Sequence, residues 1–236
     1  MNSDLDTVYV GSFDIGKKNF AFLVEKFNKR ELEQIQDVDK EEKYAVDGTP
    51  LPQLENILNR VYLNGTIIET INADITKDCK KGSYLDPTTF YNLTEHLDQY
   101  KHLWDKCAYI IIEQQMSFGR KYNTMALKLA QHCFSYFSIK YGKDLQIVEF
   151  PAYHKTQVLG AEKICNQTKA GKITYKAISK TDRKKWSVVV AKNILTIRND
   201  TDSLSYMSNA KKRDDLADVL TQLQAWKYLN FISKSI

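Results

Sequence analysis

Residues 7–16, Thr-Val-Tyr-Val-Gly-Ser-Phe-Asp-Ile-Gly, constrain this chain more than any other segment. They are rich in β-branched and aromatic side chains and stop at a glycine, as a strand does. Both faces of that strand are largely apolar. It therefore needs cover on both sides, which places it in the middle of a layered sheet. Near its end stands a carboxylate, Asp14. An unpaired carboxylate is costly to bury, so Asp14 must reach either solvent or a positive charge.

The rest of the chain can be arranged around this strand. Residues 19–27 read as a second strand. Residues 60–76 alternate strongly around the turn dipeptide Asn64-Gly65 and read as more strand, completing an antiparallel meander. Between them, 28–60 reads as a solvated acidic insertion with a short helix near 52–60; from Glu31 to Arg60 it holds eight acids and three bases. Asp86-Pro87 opens a helix that runs toward Trp104. Residues 108–112 form a short apolar strand that stops at Glu113. Tyr122, Met125, Ala126, Leu129, Cys133 and Phe137 recur at helical spacing, with Gly142 as the C-cap. Residues 145–150 are another strand, 155–182 a basic loop with a short helix, 182–197 a helix and 199–209 a polar linker. The last helix runs over 211–229. A meander followed by alternating strands and helices predicts an α/β fold. Its sheet is mixed and five-stranded, with helices on both faces. The 236 residues fit one domain.

Several function classes are excluded or disfavoured. No apolar run approaches the roughly 18 residues of a membrane span. Residues 1–7 carry two Asp and no Lys or Arg, unlike a signal or transit peptide. A soluble intracellular protein is expected. Cys79, Cys107, Cys133 and Cys165 form no C-x-x-C pair and read as reduced, mostly buried thiols. His96, His102, His132 and His154 show no zinc-ligand spacing. From Lys163 to Lys192 there are nine Lys or Arg and one acid, Asp182, a balance suited to a polyanion.

The acids point to a chemistry. Asp14 and Glu113 each terminate an apolar strand. On the last helix, Leu216, Leu220 and Leu223 define the buried stripe at about 100° per residue. Asp215 borders that stripe, Asp218 shares its face, and Asp214 turns further toward solvent. Taken singly, each acid has an ordinary explanation as a solvated residue. Together they suggest one hard-cation site, because carboxylates are the side-chain ligands Mg²⁺ prefers.

Four blocks carry a family resemblance. They are Ser12-Phe-Asp-Ile-Gly-Lys-Lys-Asn19, Ile110-Ile-Ile-Glu-Gln-Gln115, Thr181-Asp-Arg-Lys-Lys-Trp-Ser-Val188 and Lys211-Lys-Arg-Asp-Asp-Leu-Ala-Asp218. In this order they resemble the RuvC-like Holliday junction resolvases, and within them the poxvirus-type branch of large DNA viruses. The resemblance implies an RNase H-like fold and a homodimer. It implies two Mg²⁺ ions per site, replaceable by Mn²⁺, and paired nicking of four-way DNA junctions. If the chain is viral, the place of action is the cytoplasmic replication site of the host cell. Matched by position, Asp14, Glu113, Asp215 and Asp218 are the metal ligands and catalytic acids. Lys155 and Lys184 are catalytic helpers near the phosphate. Gln115, Lys121, Lys155, Lys184 and Lys185 are DNA contacts. An RNase H-type or general branched-DNA nuclease, and a non-catalytic junction-binding protein, are the competing readings.

Overall fold

The computed structural model describes residues 6–80, 86–115, 123–167 and 171–233. Its main sheet has five strands: β1 (Thr7–Asp14), β2 (Phe20–Asn28), β3 (Thr66–Ala73), β4 (Cys107–Gln114) and β5 (Gln146–Pro151). Their order is β3-β2-β1-β4-β5. The first three form an antiparallel meander, while β4 and β5 run parallel to β1. This is the mixed five-stranded sheet expected, with β1 at its centre.

Alternation along the strands sorts side chains into two cores. Phe13, Phe22, Val24, Ile110 and Ile112 point to one face. There they meet α3 (Pro87–Gln99), α4 (Lys101–Trp104) and α5 (Thr124–Tyr141), with Trp104 packed against Phe13, Phe22 and Phe137. Val10, Ala21, Leu23 and Ile111 point to the other face. That face is covered by α2 (Pro52–Leu63), α7 (Lys180–Ile197) and α9 (Arg213–Phe231). The caps explain several boundaries. Pro87 occupies the first turn of α3, where its missing N–H costs nothing, and Asp86 accepts from the Thr88 N–H. Gly142 closes α5 at a positive φ of 59°, a conformation a Cβ disfavours.

Four expectations need correction. Residues 60–63 are not strand; they complete α2, because Ile57, Leu58, Val61 and Tyr62 bury one helical face. The 28–60 segment is not a solvated insertion. It contains α1 (Lys29–Glu33), a 3₁₀ turn (Lys40–Glu42) and most of α2, and it contributes Leu32, Ile35, Leu54 and Leu58 to the core while most of its acids stay outside. The 199–209 linker is mostly a helix, α8 (Thr201–Asn209). The Asp200 side chain caps it by accepting from the Ser203 N–H, and Met207 is buried beneath it. Its Ser and Asp content is therefore cap chemistry rather than loop chemistry. Within 155–182 stand the end of α6 (Ala152–Val158) and an exposed hairpin, β6 (Ile164–Gln167) with β7 (Ile173–Lys176). Of the thiols, Cys107 and Cys133 are buried, and burial raises both; Cys165 is exposed. No helix among the described residues is long and apolar enough to cross a membrane.

Candidate active site

Asp14 closes β1, and Glu113 stands one residue before the end of β4. The strands are parallel neighbours with Phe13 beside Ile112, so the two acids come next to each other at the carboxyl ends. By alternation Val10, Ser12 and Asp14 share the α9 face of β1, and Ile111 and Glu113 share it on β4. The chain leaves β1 toward β2 and β3, and leaves β4 toward β5. The strand order therefore reverses between β1 and β4, and such a switch point opens a crevice at the strand ends.

α9 supplies the second pair of acids, Asp215 in its first turn and Asp218 three residues on. Polar bonds fix this helix over β1. Ser12 Oγ donates to the Val219 carbonyl at 2.9 Å. Gln222 Nε2 donates to Ser12 Oγ at 3.1 Å and to the Phe13 carbonyl at 3.2 Å. The register of α9 is thus set within two residues of Asp14. From α7, Ser187 Oγ donates to Asp218 Oδ1 at 2.8 Å and orients that carboxylate. Asn72 on β3 reaches Asp215 Oδ2 at 3.5 Å, a weak contact.

A lysine stands among these acids. α6 places Lys155 only 7% exposed, with its Nζ 2.7 Å from Glu113 Oε2 and 3.4 Å from Asp218 Oδ1. Burial alone would lower its pKa, but Glu113, Asp218 and Asp14 outweigh that and raise it, so the ammonium stays charged. The acids nevertheless outnumber it. Loss of hydration, and then the Glu113 carboxylate, push Asp14 well above the usual carboxylate range against the pull of Lys155. Burial and Asp214 raise Asp215, with Lys184 opposing.

The other residues named from the sequence fall into three groups. Lys184 lies at the rim, hydrogen-bonded to Asp214 and 3.9 Å from Asp215. Asp214 therefore does not turn to solvent as the helical angle suggests; it is half-buried because it grips Lys184, and that bond outweighs burial to lower its pKa. Gln115 folds back, its Nε2 donating to the Glu113 backbone carbonyl at 3.2 Å. Lys185 is not brought to the acids. It is exposed, 3.7 Å from Asp182, in an adjoining hollow lined also by Lys180, Lys184 and Arg213. Lys121 lies outside the described residues.

A cleft of about 330 Å³ opens beside the acids, and Glu113, Lys155, Asp218, Lys180, Arg183 and Ser187 are among the residues that line it. Arg183 and Ser187 were not singled out from the sequence. They stand one helical turn apart on α7, a spacing that becomes informative once the start of that helix is fixed at Ser179.

The donor chemistry fits a hard divalent cation: four carboxylates from three elements, under-neutralised, with Asp14 driven toward protonation by burial and its neighbours. Among the described residues, no three acidic, histidine or cysteine side chains already stand at ligand spacing. Glu113 and Asp218 close on the Lys155 ammonium instead.

Sheet order and acid cluster together define an α/β chain with a mixed five-stranded sheet and a carboxylate-rich site at its switch point. No family model matches the sequence. Uncharacterized protein 170L of Invertebrate iridescent virus 6 is 35% identical over 239 residues, spanning 97% of this chain and 92% of that protein. Uncharacterized protein 97L of Invertebrate iridescent virus 3 is 31% identical over 226 residues, spanning 92% and 98%. The chain belongs to the family of these iridescent-virus proteins. Among solved structures it is similar to the fowlpox virus Holliday junction resolvase, with a TM-score of 0.49 and 14% identity over 93% of this chain and 98% of that one. It is also similar to Thermus thermophilus RuvC, with a TM-score of 0.49 and 10% identity over 95% and 98%.

Proposed function

We propose that this chain is a Mg²⁺-dependent, structure-selective endonuclease that resolves four-way DNA junctions by paired phosphodiester hydrolysis. The observation that carries the reading is the gathering of Asp14, Glu113, Asp215 and Asp218 from two adjacent strand ends and one helix, beside a cleft walled by cations. These four acids would hold the metal, with Mn²⁺ able to substitute. When bound, such ions activate water and stabilise the leaving oxygen of an in-line displacement. The remaining work falls to the chain's own side chains. Lys155 keeps Glu113 and Asp218 together and brings a fixed positive charge to the developing charge on phosphate. Ser187 holds Asp218 in one orientation. Lys184, steadied by Asp214, and Arg183 and Lys180, which line the same cleft, attract the phosphate backbone.

The four sequence blocks support the four-way junction as substrate. They also support the homodimer, since paired nicks require two sites. Relatives in iridescent viruses support a place of action at the replication site in the host cytoplasm. The test is cleavage of fixed and mobile four-way junctions, beside an RNA–DNA hybrid, with nicks mapped on every strand. Wild type with Mg²⁺ should nick opposite strands symmetrically and spare the hybrid, and D14N should bind the junction without cutting it. Cleavage of the hybrid alone, or wild-type rates from D14N, would overturn the reading.

A further inference from the structure

A second cavity of about 370 Å³ adjoins the catalytic cleft, and Thr156 and Arg183 line both. It is built where the 28–60 segment meets the stretch after α6. The Lys163 N–H donates to the Asp47 carbonyl at 2.7 Å, and the Lys163 stem lies over Gly48. Tyr44 Oη donates to the Val158 carbonyl at 2.9 Å. These bonds pin the segment to α6, so the cavity is a formed feature rather than a gap between loops.

Its lining is lopsided in charge. Lys40, Lys43, Lys163 and Arg183 contribute cations, and no carboxylate among the described residues lines it. Lys43 is committed to Asp37, and Asp47 offsets part of the Lys163 charge from outside the lining. Arg183 Nε is buried without a hydrogen-bond partner, as is Nδ1 of nearby His154. A buried guanidinium N–H left unsatisfied is costly, and a phosphate oxygen would satisfy it. The rest of the wall is apolar or aromatic. Ala161, Ala177 and Ile178 line it, as does Tyr153, which is 53% exposed. Cations that follow a backbone beside an aromatic face that can stack a base are how proteins hold single-stranded nucleic acid.

We infer that this cavity is a second DNA subsite, which holds the phosphates and one unstacked nucleotide of the strand that continues past the catalytic cleft. The inference rests on the proposed nuclease reading and gives the 28–60 segment a role within it: it closes the strand channel. Arg183, shared by both cavities, would span successive phosphates.

The test uses the full chain in EDTA, so that binding is read without cutting, and a four-way junction carrying an unpaired 2-aminopurine beside the branch. Wild type should quench the 2-aminopurine. Y153A should lose the quenching and Y153F should retain it, a contrast that a merely structural tyrosine would not give. K40A/K163A should lower the slope of log affinity against log salt by about 1.4–1.8, at roughly 0.7–0.9 for each phosphate left without its lysine. Melting in Mn²⁺ should be unchanged in every variant, since none touches the acids, and an unchanged melt also shows that each variant is folded. Wild-type quenching in Y153A together with a wild-type salt slope in K40A/K163A would overturn the subsite. The nuclease reading fails separately, if wild type binds the junction and leaves it uncut in Mg²⁺. If wild type binds no junction, both fall.

Discussion

α9 carries a buried charge cluster at each end, and the two are built to opposite balances. At its start, Asp215 and Asp218 join Asp14 and Glu113 around one buried ammonium, Lys155, with Lys184 at the rim. Further along, Lys227 meets Glu25 of β2 at 2.7 Å, and Arg198 meets the same carboxylate at 2.8 Å. Both partners of the Glu25–Lys227 pair have no exposed surface. Lys227 also donates to the carbonyls of Val61 and Asn64, and Gln224 bridges to Glu25. The charged groups there are engaged with one another and with backbone. The two clusters lie on the same face of the sheet and have similar chemistry. The cation-rich one ties α9 to β2, α2 and the end of α7. The acid-rich one stands at a switch point beside a cleft, with more carboxylates than cations.

The largest effect should come from breaking the cation-rich cluster. E25Q leaves Arg198 and Lys227 buried without their counter-charge and should destabilise the fold by about 3–5 kcal/mol in urea unfolding. Its pH dependence follows from the directions of shift. Burial would raise the Glu25 pKa, but Arg198 and Lys227 outweigh it and hold it below the ordinary 4.5. A depressed carboxylate adds stability that is present above the unfolded value and lost as pH falls through the folded one. Wild type should therefore lose stability below about pH 4.5 by a component that E25Q lacks. Lys227 acts with the same sign at higher pH: burial lowers it from 10.5 to about 8, so the folded chain sheds its proton first and stability gains as pH rises between those values.

Breaking the acid-rich cluster should invert the result. D14N removes a carboxylate that its neighbours oppose, so without divalent cations it should stabilise the chain by about 1 kcal/mol, roughly 2–4 °C in Tm, while abolishing cleavage. A destabilised D14N would mean that Asp14 is a structural partner like Glu25. K155A removes the one buried cation and should cost about 3 kcal/mol in EDTA, with much of the loss restored by Mn²⁺. Smaller still is Q222A, which loosens the bonds from α9 to Ser12 and Phe13. It should lower the cleavage rate with little change in junction affinity. Smallest is K184A, which should reduce the salt slope of junction binding by about one.

How much of this was legible in the sequence differs between the two clusters. The acids of the active end lie in strand-end and helix-face patterns that alternation and the 100° step expose, so Asp14, Glu113, Asp215 and Asp218 could be named together. The mixed sheet, its opening meander and the central place of β1 followed from the same patterning. Glu25, Arg198 and Lys227 gave no such signal, because a charged residue in a strand, at a helix end and late in a helix reads as surface until the tertiary pairing is known. Asp214 misled for the same reason: the helical angle points it outward, but Lys184 on another helix meets it there. The 28–60 segment looked solvated because its acids outnumber its bases, while the buried residues come as two short helical sets, Leu32 with Ile35 and Leu54 with Leu58, separated by a long polar stretch. Polar caps hid α8 in the same way, since the Ser and Asp residues that start a helix are also those that fill a loop.

The central claim is that the start of α9, unlike its later half, is an electrostatically incomplete site for a divalent cation. Calorimetric titration of Mn²⁺ into the full chain, beside D14N, tests it most directly. The account predicts saturable binding to wild type that is lost in D14N and retained in K40A/K163A. Equal binding to wild type and D14N, or none to wild type, would contradict it.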